Sequence, residues 1–202
     1  MIFIGDIWDD DYVSYMKLIE SIGETPSIQV GDFGCGFPEH TPPKSNGWHK
    51  FIRGNHDEPK ACAKHPDYLG DFGYLEEYDL FYIGGADSVD KFSRIWGINW
   101  WPEEQLNSAD SNKAFDLYKE KKPRIVVAHD CPASLRARVL QAIGRNSYGD
   151  FSSTQQLLEQ MYREHQPSFW VFGHYHQNIE IKDRRTIFIC VGLGKYKEIT
   201  CI

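Results

Sequence analysis

Five times along the chain a short apolar run gives way to a turn residue and then to polar side chains. Ile2-Phe3-Ile4 leads into Gly5-Asp6, and Ser27-Ile28-Gln29-Val30 into Gly31-Asp32. Lys50-Phe51-Ile52 is followed by Gly54-Asn55-His56, and Ile125-Val126-Val127-Ala128 by His129-Asp130. The fifth run, Phe169-Trp170-Val171-Phe172, opens into Gly173-His174-Tyr175-His176. Runs rich in Val, Ile and Phe with turn signals behind them predict buried strands. Helical spacing lies between them: Tyr12, Tyr15, Met16, Ile19 and Ile22; Leu135, Val139 and Ile143 behind Pro132; and Leu157, Leu158, Met161, Tyr162 and His165 behind Ser153-x-x-Gln156, which has the form of a capping box.

Strands alternating with helices imply an α/β fold with helices on the faces of a parallel or mixed sheet. Ligands in such folds gather at the carboxyl ends of the strands. The pattern therefore brings Asp6, Asp32, Asn55, His129, His174 and His176 to one edge of a sheet. Two stretches depart from it. Leu80–Glu104 reads as a strand, a long loop and a second short strand, and Ile179–Val191 as a hairpin at a sheet edge. With no repeat, low-complexity tract or linker in 202 residues, the expectation is one domain over 1–202.

Composition narrows the partners. Hydrophobic residues make up 41% and aromatic residues 14%, enough for a sizeable core. No apolar run reaches the ~20 residues of a membrane span, and the N-terminus has no signal-peptide pattern. Five scattered cysteines without a Cys-x-x-Cys pair favour a reducing cytoplasm, the host's if the source is viral, and argue against a thiolate zinc site. The net charge of −7 disfavours extended nucleic acid, which needs many cationic contacts to phosphate. It leaves room for a phosphorylated small molecule or phosphopeptide.

Carboxylate, amide oxygen and imidazole together suit divalent metals: Mn²⁺ first, with Fe²⁺, Zn²⁺ or Ni²⁺ as alternatives. A carboxylate shared between two ions ~3.5–4 Å apart gives a centre that binds and deprotonates a water for in-line attack on a phosphate ester. In order and spacing, Gly5-Asp6, Gly31-Asp32, Gly54-Asn55-His56-Asp57, His129 and Gly173-His174-x-His176 resemble the calcineurin-like metallophosphoesterases, with the nearest likeness to small bacterial and phage members. The resemblance implies a four-layer α-β-β-α sandwich with mixed sheets, flanking helices and two metal sites at one edge. It implies site one from Asp6, Asp32 and His176, and site two from Asp32, Asn55, His129 and His174. It casts His56, oriented by Asp57, as the catalytic imidazole and Arg53 as a phosphate-binding arginine.

The chain departs from the family's Asp-x-His opening, since Trp8 stands where a metal-binding histidine is usual. An indole has no available lone pair for a metal, so site one is expected to be the weaker, with water, Asp9 or Asp10 as substitutes. The Asp-Arg-Gly of the protein-phosphatase branch is also missing after Asp32. Arg94 has two open roles, a phosphate contact or a surface ion pair with Asp87 or Asp90. Trp96, Trp100 and Trp101 are equally open between a substrate wall and packing. His40, His49, His65 and His165 are read as structural or surface residues. The resulting expectation is a metal-dependent phosphoesterase, with monoesters favoured. The alternatives are a phosphodiesterase or nuclease, or a catalytically weakened binding module.

Overall fold

The computed structural model describes residues 1–7, 12–37, 39–146 and 149–200. In chain order the elements are β1 (Ile2–Ile4), α1 (Val13–Ile22), β2 (Ser27–Gln29), β3 (His49–Phe51), α2 (Pro59–Cys62), β4 (Phe72–Leu75), β5 (Leu80–Ile83), α3 (Ser108–Lys121), β6 (Ile125–Ala128), α4 (Ala133–Ala142), α5 (Ser153–Glu164), β7 (Phe169–Phe172), β8 (Ile179–Asp183), β9 (Thr186–Cys190) and β10 (Tyr196–Glu198).

The strands form two sheets where the sequence pattern suggested one. Their orders are β10-β1-β2-β3 and β4-β5-β6-β7-β9-β8. β1, β2 and β3 are parallel neighbours, as are β5, β6, β7 and β9; β10, β4 and β8 join antiparallel at the rims. Side chains alternate across each strand, and this divides the core into layers. Phe3, Ile28, Leu80, Tyr82, Ile125, Val127, Val171 and Ile189 fill the space between the sheets. Ile2, Ile4 and Phe51 face outward under α1, packed against its Tyr15 and Ile19. Phe81, Val126, Trp170, Phe172 and Phe188 face the other way, under α3, α4 and α5. The architecture is the four-layer α-β-β-α sandwich.

Local chemistry shifts several expected boundaries. The cap of α5 is Ser152, whose side chain accepts from the Gln155 amide at 3.1 Å; Ser153 instead donates its hydroxyl to Gln105 Oε1 at 2.7 Å. His165 ends that helix in extended conformation and meets the Pro123 carbonyl at 2.9 Å through Nε2. The expected second strand before Glu104 is an isolated Trp96–Trp100 bridge and a 3₁₀ turn over Pro102–Glu104, because a proline has no N–H for a ladder. The hairpin forms as expected, with β8 at the sheet edge. No helix among the described residues is long and apolar enough to cross a membrane.

Candidate metal centre

The carboxyl ends of β1, β2 and β3 meet those of β6 and β7 across the gap between the sheets. Gln29 ties the first two together: its side-chain amide donates to the Gly5 and Gly31 carbonyls and accepts from the Gly31 amide. Asp6 and Asp32 thereby leave their strands in fixed register. Glycine is required where the two sides close. A Cβ at Gly173 would run into the Asp6 carboxylate, and one at Gly54 into Asp32. Asp32, His174 and His176 all adopt left-handed backbone, at φ 59, 67 and 57. Such strain in non-glycine residues tends to cluster at functional sites.

Six predicted ligands converge. One carboxylate oxygen from each of Asp6 and Asp32 and one His176 nitrogen lie within 4.8 Å of one another, and His176 Nε2 is 3.2 Å from Asp6 Oδ2. On the other side, Asn55 Oδ1 sits 2.9 Å from His174 Nδ1 and 3.2 Å from His129 Nε2. His129 Nε2 is also 3.3 Å from Asp32 Oδ1. The Val30 carbonyl lies 2.8 Å from His129 Nδ1; a carbonyl only accepts, so that nitrogen carries a proton and the neutral ring turns the Nε2 lone pair into the site. Asp32 stands between the two groups. Its Oδ1 accepts from the His56 amide at 2.8 Å, while its buried Oδ2 has no hydrogen-bond partner among the described residues.

A buried carboxylate oxygen without a donor, ringed by lone pairs, is a cation site by its chemistry. The electrostatics agree. Burial alone would raise the Asp32 carboxyl, but the adjoining His129 imidazole and the His56 amide hold it well below the usual range. His129 shows the converse: burial opposes its charge, yet Asp32 and then Asp6 raise it to about 10. A proton on His129 thus supplies the positive charge that a bound divalent ion would bring. The donor set fits divalent cations, and Trp8, Asp9 and Asp10 lie outside the described residues.

Two expectations are corrected. Asp57 does not orient His56. Its buried carboxylate accepts the amides of Gly54 at 2.7 Å, Cys35 at 2.9 Å and Phe33 at 3.1 Å, so it anchors the backbone that carries Asp32 and Asn55. Burial and then the Asp32 charge push its carboxyl up to about 7, against those three donors. Arg53 is not at the substrate face either. It is buried, donating through Nε to Asp71 at 2.6 Å and through Nη1 to the Glu104 carbonyl at 2.6 Å. A guanidinium so committed has turned away from the cleft.

His56 instead meets Arg94, whose Nη2 and Nη1 lie 2.8 and 3.2 Å from the ring's Nε2 and Nδ1. The two ring nitrogens point in divergent directions, so one guanidinium reaches both only by lying over the ring face. Arg94 also pairs with Asp90 at 2.7 Å through Nε; of the two roles weighed from sequence, the ion pair is in place, and the stacked guanidinium stands at the cleft where a phosphate contact would be made. Phe37 lies nearly parallel to His56, 6.2 Å between centroids, and is backed by Trp101. Trp101 is buried, whereas Trp96 is exposed.

Around the centre opens a cleft of about 1220 Å³, lined by Asp32, Asn55, His56, Arg94, His174 and His176 and, farther out, by Arg136 and Arg145 among others. A second cluster, Cys35, Asp57 and Cys62, also gathers potential ligands. There Asp57 is already occupied by amides and burial pushes the Cys62 thiol well up, which leaves Cys62 a packed neutral thiol. Sequence reading missed Gln29, Ser88 and Glu104, all buried and all in this framework. A glutamine inside an apolar run and a glutamate behind two tryptophans were the available signals.

Comparison with known proteins agrees with the geometry. A search of curated proteins gives no match. Among solved structures, the crystal structure of TT1561 of Thermus thermophilus is similar at 12% identity and TM-score 0.54, covering 96% of this chain and 89% of that one. GAP50, the anchor in the inner membrane complex of Plasmodium, is similar at 13% identity and TM-score 0.52, covering 96% and 72%. At such identities these likenesses bear on the fold alone. The model of the calcineurin-like phosphoesterases matches residues 1–178, a span that holds all six converging side chains. With that match over most of its length, the chain belongs to the calcineurin-like phosphoesterase family, whose chemistry is metal-dependent phosphoester hydrolysis.

Proposed function

We propose that this protein hydrolyses phosphomonoesters at a centre holding two divalent cations, Mn²⁺ foremost. The observation that carries the reading is the buried Asp32 Oδ2, without a hydrogen-bond partner among the described residues, at the junction of the two ligand groups. Asp6, Asp32 and His176 form site one, and Asp32, Asn55, His129 and His174 form site two. Cations held there would neutralise phosphate oxygens and provide an attacking water at neutral pH. The chain's own residues do the rest. Asp32 keeps the two groups in register, and the Val30 carbonyl fixes the His129 tautomer. His56, at the cleft edge, transfers a proton to the leaving oxygen. Arg94 leaves the face of His56 to meet the phosphate.

The monoester preference rests on Arg94, since a dianionic ester gains more from a neighbouring guanidinium than a monoanionic diester does. Asp87, Asp90, Asp130 and Asp150 also line the cleft, and such carboxylates oppose an extended nucleic acid. A cleft this large favours a phosphopeptide or a sizeable small molecule over a minimal ester. Site one, with three protein ligands assigned, is the weaker. The test is turnover of p-nitrophenyl phosphate against its bis ester after EDTA treatment, with Mn²⁺ added back stepwise. Metal-restored monoesterase activity is expected. Preference for the bis ester refutes the monoester reading, and activity indifferent to EDTA refutes the metal centre.

A further inference from the structure

Asn55 is the only neutral oxygen donor among the six ligands, and an amide has a wrong way round. With Oδ1 inward it is a ligand; flipped, it presents N–H groups where a cation must sit. Here Oδ1 faces His174 and His129, and Nδ2 donates to Ser88 Oγ at 3.2 Å. Ser88 in turn donates twice to one carboxylate, its hydroxyl to Glu104 Oε2 at 2.6 Å and its amide to Glu104 Oε1 at 2.8 Å. Ser88 is 0% and Glu104 1% exposed, so solvent does not compete for these bonds.

An ionised carboxylate only accepts. The Ser88 hydroxyl proton is therefore committed to Glu104, and the hydroxyl can meet Asn55 only as an acceptor. That selects the NH₂ on the Ser88 side and leaves the oxygen toward the histidines. We propose that Ser88 and Glu104 are positioning residues that hold the Asn55 amide with its oxygen toward the cations, an inference that rests on the metal centre proposed above. Neither residue is itself a ligand, and Ser88 reaches the centre only through Asn55. Glu104 is itself placed by the same stretch of chain, because its backbone carbonyl accepts from Arg53 Nη1, two residues before Asn55. Burial holds the Glu104 carboxyl above its ordinary value, and the two Ser88 donors oppose that rise without cancelling it.

The inference makes Glu104→Gln more damaging than its size suggests. The Ser88 amide is an obligatory donor, so it keeps the new side chain's oxygen opposite itself and sets the NH₂ against Ser88 Oγ. The hydroxyl proton then turns to Asn55, which must flip to accept it. Calorimetric titration of the EDTA-stripped protein with Mn²⁺ reads the result. Glu104→Gln is expected to weaken binding by about 10–100-fold, the usual cost of losing a partner behind a metal ligand. In an Asn55→Asp background the ligand has no wrong face and gains from a donating Ser88, so adding Glu104→Gln should weaken nothing. Ser88→Ala, which removes the relay without reversing it, should cost about 10-fold and serves if Glu104→Gln does not fold. Unchanged affinity in the single variants overturns the inference, as does equal weakening in both backgrounds, which would indicate general damage. A wild-type protein that binds no Mn²⁺ overturns the proposed metal centre and the inference with it.

Discussion

On the floor of the cleft Asp6, Asp32, Asn55 and His129 are buried, each within hydrogen-bonding distance of another group of the framework. In the segment from Ser88 to Glu104 the ends are held this way, Ser88 at one and Trp101 with Glu104 at the other. Between them Val89, Phe92 and Trp96 are 84, 94 and 74% exposed. The two regions share one cleft and answer to different requirements. Ligands must be held in place before a cation arrives, since any freedom they keep is lost on binding. A segment that meets the substrate needs only its ends fixed. Arg94 stands at the boundary, on the exposed span but lying over His56 at the edge of the floor.

The sharpest test of the floor is Asp32→Asn, which weakens the one carboxylate assigned to both sites. Each cation is worth several kcal/mol to the transition state, so turnover should fall by more than about 10⁴-fold, with metal content lost and the fold kept. Full activity would refute the shared-ligand assignment. His56→Ala should lower kcat by ~10²–10⁴ with metal content unchanged; an emptied metal site would make His56 a ligand instead.

Arg94→Ala tests the boundary. A hydrogen bond to a charged group contributes ~1.5–3 kcal/mol, so kcat/KM for a monoester should drop by about 10–150-fold, with little change for the bis ester. Equal losses on both esters would remove Arg94 from phosphate discrimination. Arg53→Met should do the opposite, lowering Tm through its lost buried bonds while leaving KM of the folded protein unaltered at saturating Mn²⁺. Asp57→Ala belongs with it. Three buried amides lose their acceptor at ~1–3 kcal/mol each, and each kcal/mol is about 2–4 °C of Tm in a chain of this size.

A smaller effect concerns the metal-free floor. His129 is raised from 6.5 to about 10, so its contribution to stability is fully present below its unfolded value. It is lost as pH rises through the folded one. Stability in EDTA should therefore decline between about pH 6.5 and 10, and His129→Ala should flatten that slope; an unchanged slope would place the source elsewhere. Smallest of all, Phe92→Ser on the exposed span should shift stability by no more than about 0.5 kcal/mol.

Much of the floor was legible because buried strands and their ends leave local marks. Ile2–Ile4, Ile125–Ala128 and Phe169–Phe172 are continuous apolar runs closed by glycine or histidine, and all three are strands. α3 left no such mark: only Ala114 and Tyr118 of its residues are fully buried, too sparse a stripe to stand out. The cap of α5 was misplaced by one residue because Ser152 and Ser153 are chemically equivalent, and only Gln105 decides between them.

By itself the sequence determined which side chains stand at the strand ends, since a buried strand must stop at a turn and the residue after it is exposed to whatever lies there. It determined, for the same reason, that carboxylate, amide and imidazole groups stand there. Only the tertiary structure decided that Asp57 serves amides and not His56, and that Arg53 turns into the protein while Arg94 lies over the cleft. Those outcomes depend on partners distant in sequence: Asp71 and Glu104 for Arg53, His56 for Arg94, Phe33 and Cys35 for Asp57. A long polar side chain follows the best donor or acceptor within reach, and which groups come within reach is fixed by packing across the fold.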